Sequence, residues 1–467
     1  MNDAVFHPIE QLSGLLAQGK LSARALTRAY LDRIERYNDT LNAYVAVYSE
    51  DALRQAEAAD TRRGMGLALG PLDGIPLAVK DLCGLAGRPL TAGSRTLAGQ
   101  TAATTATAME KLLGAGAVIL GHAQMVEYAF GAWGVNPLLG TPRNPWDAAV
   151  HRVPGGSSSG SGVAVAAGLA AAAIGSDTGG SIRTPSMLNG ITGLKLSAGR
   201  VSLAGCVDLC HTLDTLGPMA RSAWDAALLA GVMAGADPKD PRTLHTPQPP
   251  IVARRAPGLP RPLSGKVITT IALGSLPHAL APAFAQAYAE TAAHLRGLGA
   301  TVHERPLPFD LRHMMDCVGQ IISCEGYSLY DAVVRDASTP MGNAVRQRML
   351  AAESASARDY LRLQIAHRHA CDTWLDWMRD TDALLMPGLP ITAAPLEGLD
   401  ESSTALSIYT RPANFLGACA LALPAGFADG LPLAVQLYGK PADESAVLEI
   451  GVALQDVTDW HLRHPAL

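Results

Sequence analysis

The stretch that most restricts how this chain can fold runs from Pro154 to Arg183, PGGSSSGSGVAVAAGLAAAAIGSDTGGSIR. A Gly/Ser run of this composition is ordinarily a flexible connection. Here it passes without a break into the apolar segment VAVAAGLAAAA, which has to be packed, and a second polar turn, SDTGGS, closes the segment on its far side. A helix over about 160 to 172 rises on the order of 20 Å, and an extended return of about six residues covers a similar distance. Ser157 and Ser181 can therefore finish side by side.

The neighbouring sequence supplies the layers that would bury such a segment. From about 65 to 230, short apolar runs such as GIPLAVKDL, AVILGHA and AAAIGSDTGG alternate with Gly, Pro and Asn and with helical stretches, a rhythm that predicts strands between helices. Residues 8–63 read as helices, with Ser22 as a cap and Leu26, Tyr30, Leu31 and Ile34 on one stripe. Residues 236–265, rich in Pro and Arg, read as a long surface connection. KVITTIALG and an amphipathic helix then resume the α/β rhythm. Residues 310–380 read as mostly helical, and DALLMPGLP, LPLAVQLYG and a last helix close the chain. The expectation is an α/β fold: one large domain over residues 1–467, with a twisted mixed β-sheet covered by helices on both faces. Within it, 1–63 are N-terminal helices, 64–230 the chemical core and 310–380 a helical substrate-side region. Aromatic residues are only 5% of the 467 and hydrophobic residues 48%, so Ala, Val, Leu and Ile fill the core.

Charge and cysteine usage exclude several functions. The net charge is -5 with no basic block, which speaks against nucleic acid as a partner. Seven scattered cysteines argue against a disulfide framework and for a reducing compartment. MNDAVFHPIEQL lacks the basic and apolar regions of a secretory signal, and no run has the roughly 18 apolar residues of a membrane span. The expectation is a cytoplasmic protein acting on a small molecule, with a homodimer as a candidate assembly. Only seven of the 37 basic residues are lysines, so a lysine in an apolar setting stands out.

Familiar motifs near the serine cluster do not hold. A phosphate loop needs a Lys before its last Ser or Thr, and none is present. GSSSG at 156–160 fits a nucleophile elbow, but the elbow must follow a buried strand, whereas NPWDAAVHRVP is turn-like. DTGG at 177–180 resembles half of an aspartic-protease site, which needs two carboxylates. CVDLCH lacks zinc-ligand spacing.

Three stretches remain that each end a buried element on a polar group: GIPLAVKDL, PGGSSSGSG and GSDTGGSIR. Ile75, Leu77 and Val79 read as a buried strand ending on Lys80. Burial disfavours the ammonium form, and the neutral amine can act as a base; the other reading of Lys80 is a structural pair with Asp81. Around Ser181, two glycines let successive N–H groups curl around an anion, a nest suited to a tetrahedral oxyanion. The other reading of Gly-Gly-Ser is an ordinary turn.

Read in order, GIPLAVKDL, NPWDAAVHRVPGGSSSGSGVAVAAGLAAAAIGSDTGGSIRTPSMLNGITGLK and LDTLGPMARS resemble the amidase signature family. The likeness continues through DALLMPGLPITAAP and RPANFLG to LPLAVQLYGKPADE. It implies a Ser, cis-Ser, Lys triad, with Lys80 as base, Ser157 as bridging serine and Ser181 as nucleophile. Ser158 stands as the alternative bridge. It further implies a cis peptide before Ser157, an oxyanion hole from the N–H groups of Thr178, Gly179, Gly180 and Ser181, and no metal or organic cofactor. Asp177 and Arg183 are expected to pair and hold the nest, and Tyr128, Ala129 and Trp133 to line the acyl side. The resulting expectation is an amidase. The alternatives are the A subunit of a glutamine-dependent tRNA amidotransferase and a urea-type, allophanate-like hydrolase. The glutamine-using members place an Asp three residues before the Thr of T-x-P-A-N, where this chain has Ser407 before Thr410.

Overall fold

The short apolar runs become strands of one sheet. In the computed structural model, which describes residues 4–253 and 258–467, the strands are β1 (Tyr44–Val47), β2 (Pro76–Lys80), β3 (Val118–Ala123), β4 (Ala172–Ser176), β5 (Thr192–Lys195), β6 (Leu216–Ala220), β7 (Val267–Thr270), β8 (Thr301–Glu304), β9 (Ala383–Pro387), β10 (Ala420–Ala428) and β11 (Leu431–Tyr438). Their order across the sheet is β1-β3-β2-β4-β6-β5-β10-β11-β9-β7-β8. β2 lies parallel to both β3 and β4, and β7 is parallel to β8 and β9, while the central strands run antiparallel. The sheet is mixed, as expected. Residues 1–3 and 254–257 lie outside the described residues; the second group falls within the predicted Pro- and Arg-rich connection.

Two features differ from the sequence expectation. The N-terminal region is not helical throughout, because β1 pairs antiparallel with β3. The helix Ala23–Leu41, capped by Ser22 Oγ as expected, stops at Asn42, which adopts φ 49°, and the Asn38 side chain then bonds the backbone of Tyr44 in both directions. No long apolar run marks this strand; its pairing residues on β3 lie 74 or more positions further along the chain.

The helix after the serine cluster is also shorter than expected, spanning Ser159–Ala166. Gly168 ends it with φ +68°, a conformation that L side chains rarely adopt. A Cβ at Gly168 would lie 2.8 Å from the Phe6 ring, so the turn is closely covered by the N-terminus. The apolar segment is buried throughout, as packing requires.

The connection after residue 236 runs over the surface, as expected, and buried side chains hold it in place. Asp240 accepts the Leu203 N–H (2.9 Å), and the buried Arg200 guanidinium reaches the carbonyls of Pro247 (3.0 Å) and Pro249 (2.6 Å). Arg200 is itself held by Glu444 (3.1 Å), whose other oxygen accepts the Ser197 N–H (2.9 Å). This ties the connection to the C-terminal helix Glu444–Gln455. Among the described residues, no helix is long and apolar enough to cross a membrane.

Removing one member of a fully buried ion pair leaves an uncompensated charge. Arg200→Met should therefore destabilise the fold by about 3–5 kcal/mol in denaturant unfolding, and retained stability would show that Glu444 has another partner.

Candidate active site

The parallel register Leu77↔Ala172, Ala78↔Ala173, Val79↔Ile174 carries β2 and β4 to the same end of the sheet. Lys80 and Ser176, the last residues of those strands, therefore emerge together at their carboxyl edge, where α/β sheets place their ligands. Lys80 is fully buried, and its Nζ donates to Ser157 Oγ (2.7 Å) and Ser176 Oγ (2.8 Å). Burial pulls its pKa down to about 7, partly offset by Cys83, Asp214 and Asp177. Asp81 does not pair with it: that carboxylate bonds the Thr91 hydroxyl and lies 3.6 Å from His122 Nδ1.

The serine register is clear in the contacts. The Gly156–Ser157 peptide bond is cis, and the hydroxyl facing Lys80 is that of Ser157. Ser158 turns the other way, its Oγ donating to the Ser176 carbonyl (3.2 Å) and accepting the Ser176 N–H (3.2 Å). Ser181 joins through the backbone, its carbonyl accepting the Ser158 N–H (3.2 Å). Its hydroxyl makes no hydrogen bond among the described residues, and Ser181 faces the cleft described below.

The turn that carries Ser181 is held from inside by Asp177. Arg183 grips this carboxylate with two donors (Nε 3.0 Å and Nη2 3.1 Å), and both side chains are fully buried. Asn414 Nδ2 adds a third donor (2.9 Å). Burial pushes the Asp177 pKa up, but Arg183, Lys195 and Asn414 outweigh it and hold the carboxyl well below the usual range.

Asp177 also accepts the Gly180 N–H (2.8 Å). This corrects the expected four-donor nest, because one of the four amides is already used. The N–H groups of Thr178, Gly179 and Ser181 have no protein acceptor among the described residues. On the opposite side, Thr178 Oγ1 donates to Asp214 (2.5 Å), a buried carboxylate that also accepts the N–H groups of Leu209 and Cys210.

Above this turn lies a cleft of about 720 Å³. Gly156, Thr178, Gly179 and Ser181 form its floor, and Ala129 and Trp133 part of its wall. Tyr128 does not line it. That ring is 2% exposed and packs 4.4 Å from Tyr330, with its hydroxyl on Thr96. The helices Leu311–Arg335, Asn343–Leu350 and Ala357–Trp377 form the far wall through Asp316, Ile322, Arg348 and Tyr360, so the 310–380 region borders the cleft. Ser407 and Arg411 complete it.

Several residues here escape sequence reasoning. Ser176 could have been found from its place at the end of a strand beside Lys80, once the register was known. Asp214 carries no local signal, and Arg411 and Asn414, though they lie in the T-x-P-A-N stretch, gave no sign that they reach the Ser181 turn from 230 and 233 residues further along.

The amidase family pattern matches residues 25–448. The chain belongs to the amidase family. Over 98% of both chains it is 38% identical to the A subunit of the glutamyl-tRNA(Gln) amidotransferase of Thioalkalivibrio sulfidiphilus. Among solved structures it resembles a vestigial protein complex bearing on the origins of an s-triazine catabolic enzyme, at 33% identity and TM-score 0.88, covering 96% of this chain and 98% of that one. It also resembles the peptide amidase of Stenotrophomonas maltophilia, at 30% identity and TM-score 0.84, covering 96% of each chain. Hydrolysis of amide C–N bonds is the chemistry of this amidase family.

Gly180 has φ +119°, and a Cβ there would fall 2.3 Å from Thr410 Oγ1. Thr410 in turn donates to the Gly179 carbonyl (3.0 Å). In this member of the amidase family, Gly180→Ala should displace the turn and cost more than about 1 kcal/mol of stability, with a loss of fluorophosphonate labelling measured by mass spectrometry. Normal labelling would show that the turn tolerates a side chain.

Proposed function

We propose that this protein cleaves a carboxylic amide through an acyl-enzyme on Ser181. The observation that carries the proposal is the 2.7 Å contact between Lys80 Nζ and Ser157 Oγ in a fully buried setting that favours the neutral amine. Neutral Lys80 takes a proton through Ser157 from Ser181, whose Oγ attacks the amide carbonyl. The three unclaimed N–H groups of Thr178, Gly179 and Ser181 hold the resulting oxyanion. Ser157 then passes a proton to the leaving nitrogen. Ammonia or an amine departs, and water releases the acyl group from Ser181 by the reverse relay. Asp177 and Arg183 shape the turn without touching the reacting atoms.

The names of the relatives weigh toward the second reading, an A subunit that releases ammonia from glutamine for a partner protein. The same serine and lysine would serve there. Against it stands Ser407 on the cleft wall, where the glutamine-using members carry an Asp that can face the free amino group. Assays on glutamine, simple aliphatic and aryl amides and urea-type amides separate these readings. Hydrolysis of simple amides with negligible glutaminase activity supports a free-standing amidase. Glutaminase activity that rises when the other subunits of a tRNA-dependent amidotransferase are added supports the second reading, and urea-type turnover alone supports the third class.

Two variants test the chemistry. Ser181→Ala should abolish the covalent fluorophosphonate adduct, and an adduct on another residue would remove Ser181 from the nucleophile's role. For Lys80 the acting form is the neutral amine, whose pKa is about 7, so kcat/KM should fall on the acid side below that value and be flat above it. Lys80→Met should lower kcat by several orders of magnitude, and a flat acid limb in the native enzyme would exclude Lys80 as the base.

A further inference from the structure

Two guanidinium groups face the cleft, and they differ in what already satisfies them. Arg348 donates to the Phe130 carbonyl (2.8 Å) and the Glu401 carbonyl (3.1 Å), and lies 3.7 Å from the Glu401 carboxylate. Arg411 has one contact, from Nη1 to the Met315 carbonyl (3.3 Å). Its remaining donors have no acceptor and no carboxylate at ion-pair distance among the described residues. Of the cleft-wall carboxylates, Glu401 faces Arg348 and Asp359 bonds Ser356 at the start of its own helix, while Asp316 acts on Arg411 from beyond ion-pair distance.

The position of Arg411 connects it to the reacting centre. A Cβ on Gly179 would lie 3.2 Å from Arg411 Cγ, so the arginine stem packs directly on the turn that carries the open amides. Arg411 begins the short segment Arg411–Phe415, whose Asn414 bonds Asp177 and whose preceding Thr410 bonds the Gly179 carbonyl. The stem is thus held on the turn that carries Ser181, and the guanidinium reaches across the cleft to Met315 on the helix Leu311–Arg335. A guanidinium that lines a cleft with most of its donors unfilled and no carboxylate at ion-pair distance is available to an anionic ligand. A planar fork of donors suits a carboxylate in particular.

We propose that Arg411 determines specificity by binding a carboxylate on the substrate, so that the preferred substrates are amides carrying a carboxylate a few bonds from the scissile carbonyl. No α-amino group is required of them, because Ser407 provides no charge to meet one. The proposal rests on Ser181 being the nucleophile, as argued above.

Ser181→Ala protein, which binds without turnover, can be titrated calorimetrically with malonamate, succinamate and glutaramate and with their neutral methyl esters. At least one carboxylate should bind more tightly than its ester. Adding Arg411→Met should weaken that binding about 100-fold and erase the preference, while Arg411→Lys should retain part of it. In the native enzyme the kcat/KM ratio of acid to ester should collapse in Arg411→Met, chiefly through KM. Absence of any preference for the carboxylates, or equal weakening of acids and esters by Arg411→Met, would overturn the proposal. Failure of the native protein to react with a neutral fluorophosphonate would instead overturn the assignment of Ser181, which the calorimetry does not depend on.

Discussion

The buried pair of Asp177 and Arg183 organises the site. Asp177 sits between the end of β4 and the turn that carries Ser181, where it receives two donors from Arg183, one from Asn414 and the N–H of Gly180. A carboxylate without water is tolerable only when its lone pairs are filled in this way. Filling them draws together the turn, the segment after Thr410 and, through the Arg183 contact with Gln436 (3.1 Å), strand β11. The amide of Gly180 is taken by this carboxylate, while those of Thr178, Gly179 and Ser181 have no protein acceptor among the described residues.

Two buried lysines show how partners, rather than burial alone, define a role. Lys195 and Lys80 are both enclosed, and burial lowers the pKa of each, to about 8 and about 7. Lys195 donates to the carbonyls of Leu196 and Ala418 and feels Asp177 and Glu444, so its environment supports the charged form. Lys80 meets two hydroxyls, which can accept from it or donate to it. Hydroxyls allow a proton to move, whereas carbonyls can only accept one.

The floor of the cleft and its walls come from different parts of the sequence. The floor is made by residues 156–181, a compact segment. The walls come from 129–133, from three helices between 311 and 377 and from the 407–411 segment.

Local physical chemistry was enough for the floor. An apolar segment flanked by two Gly/Ser turns has to be buried, and burial brings Ser157 and Ser181 to neighbouring positions. A lysine closing an apolar strand is conspicuous in a chain with only seven lysines. Residues whose partners lie far along the chain were not legible. β1 exists because β3 is there to pair with it, and Gly180 lost its expected role because its amide was claimed by Asp177. Tyr128 turned from the cleft toward Tyr330. Short-range patterns of burial and turn chemistry thus dictate the mixed α/β sheet and bring Lys80, Ser157 and Ser181 to one edge of it. Which serine faces Lys80, which amides stay open and why Arg411 has no carboxylate at ion-pair distance among the described residues follow only from the folded chain, because each depends on contacts between segments tens to hundreds of residues apart.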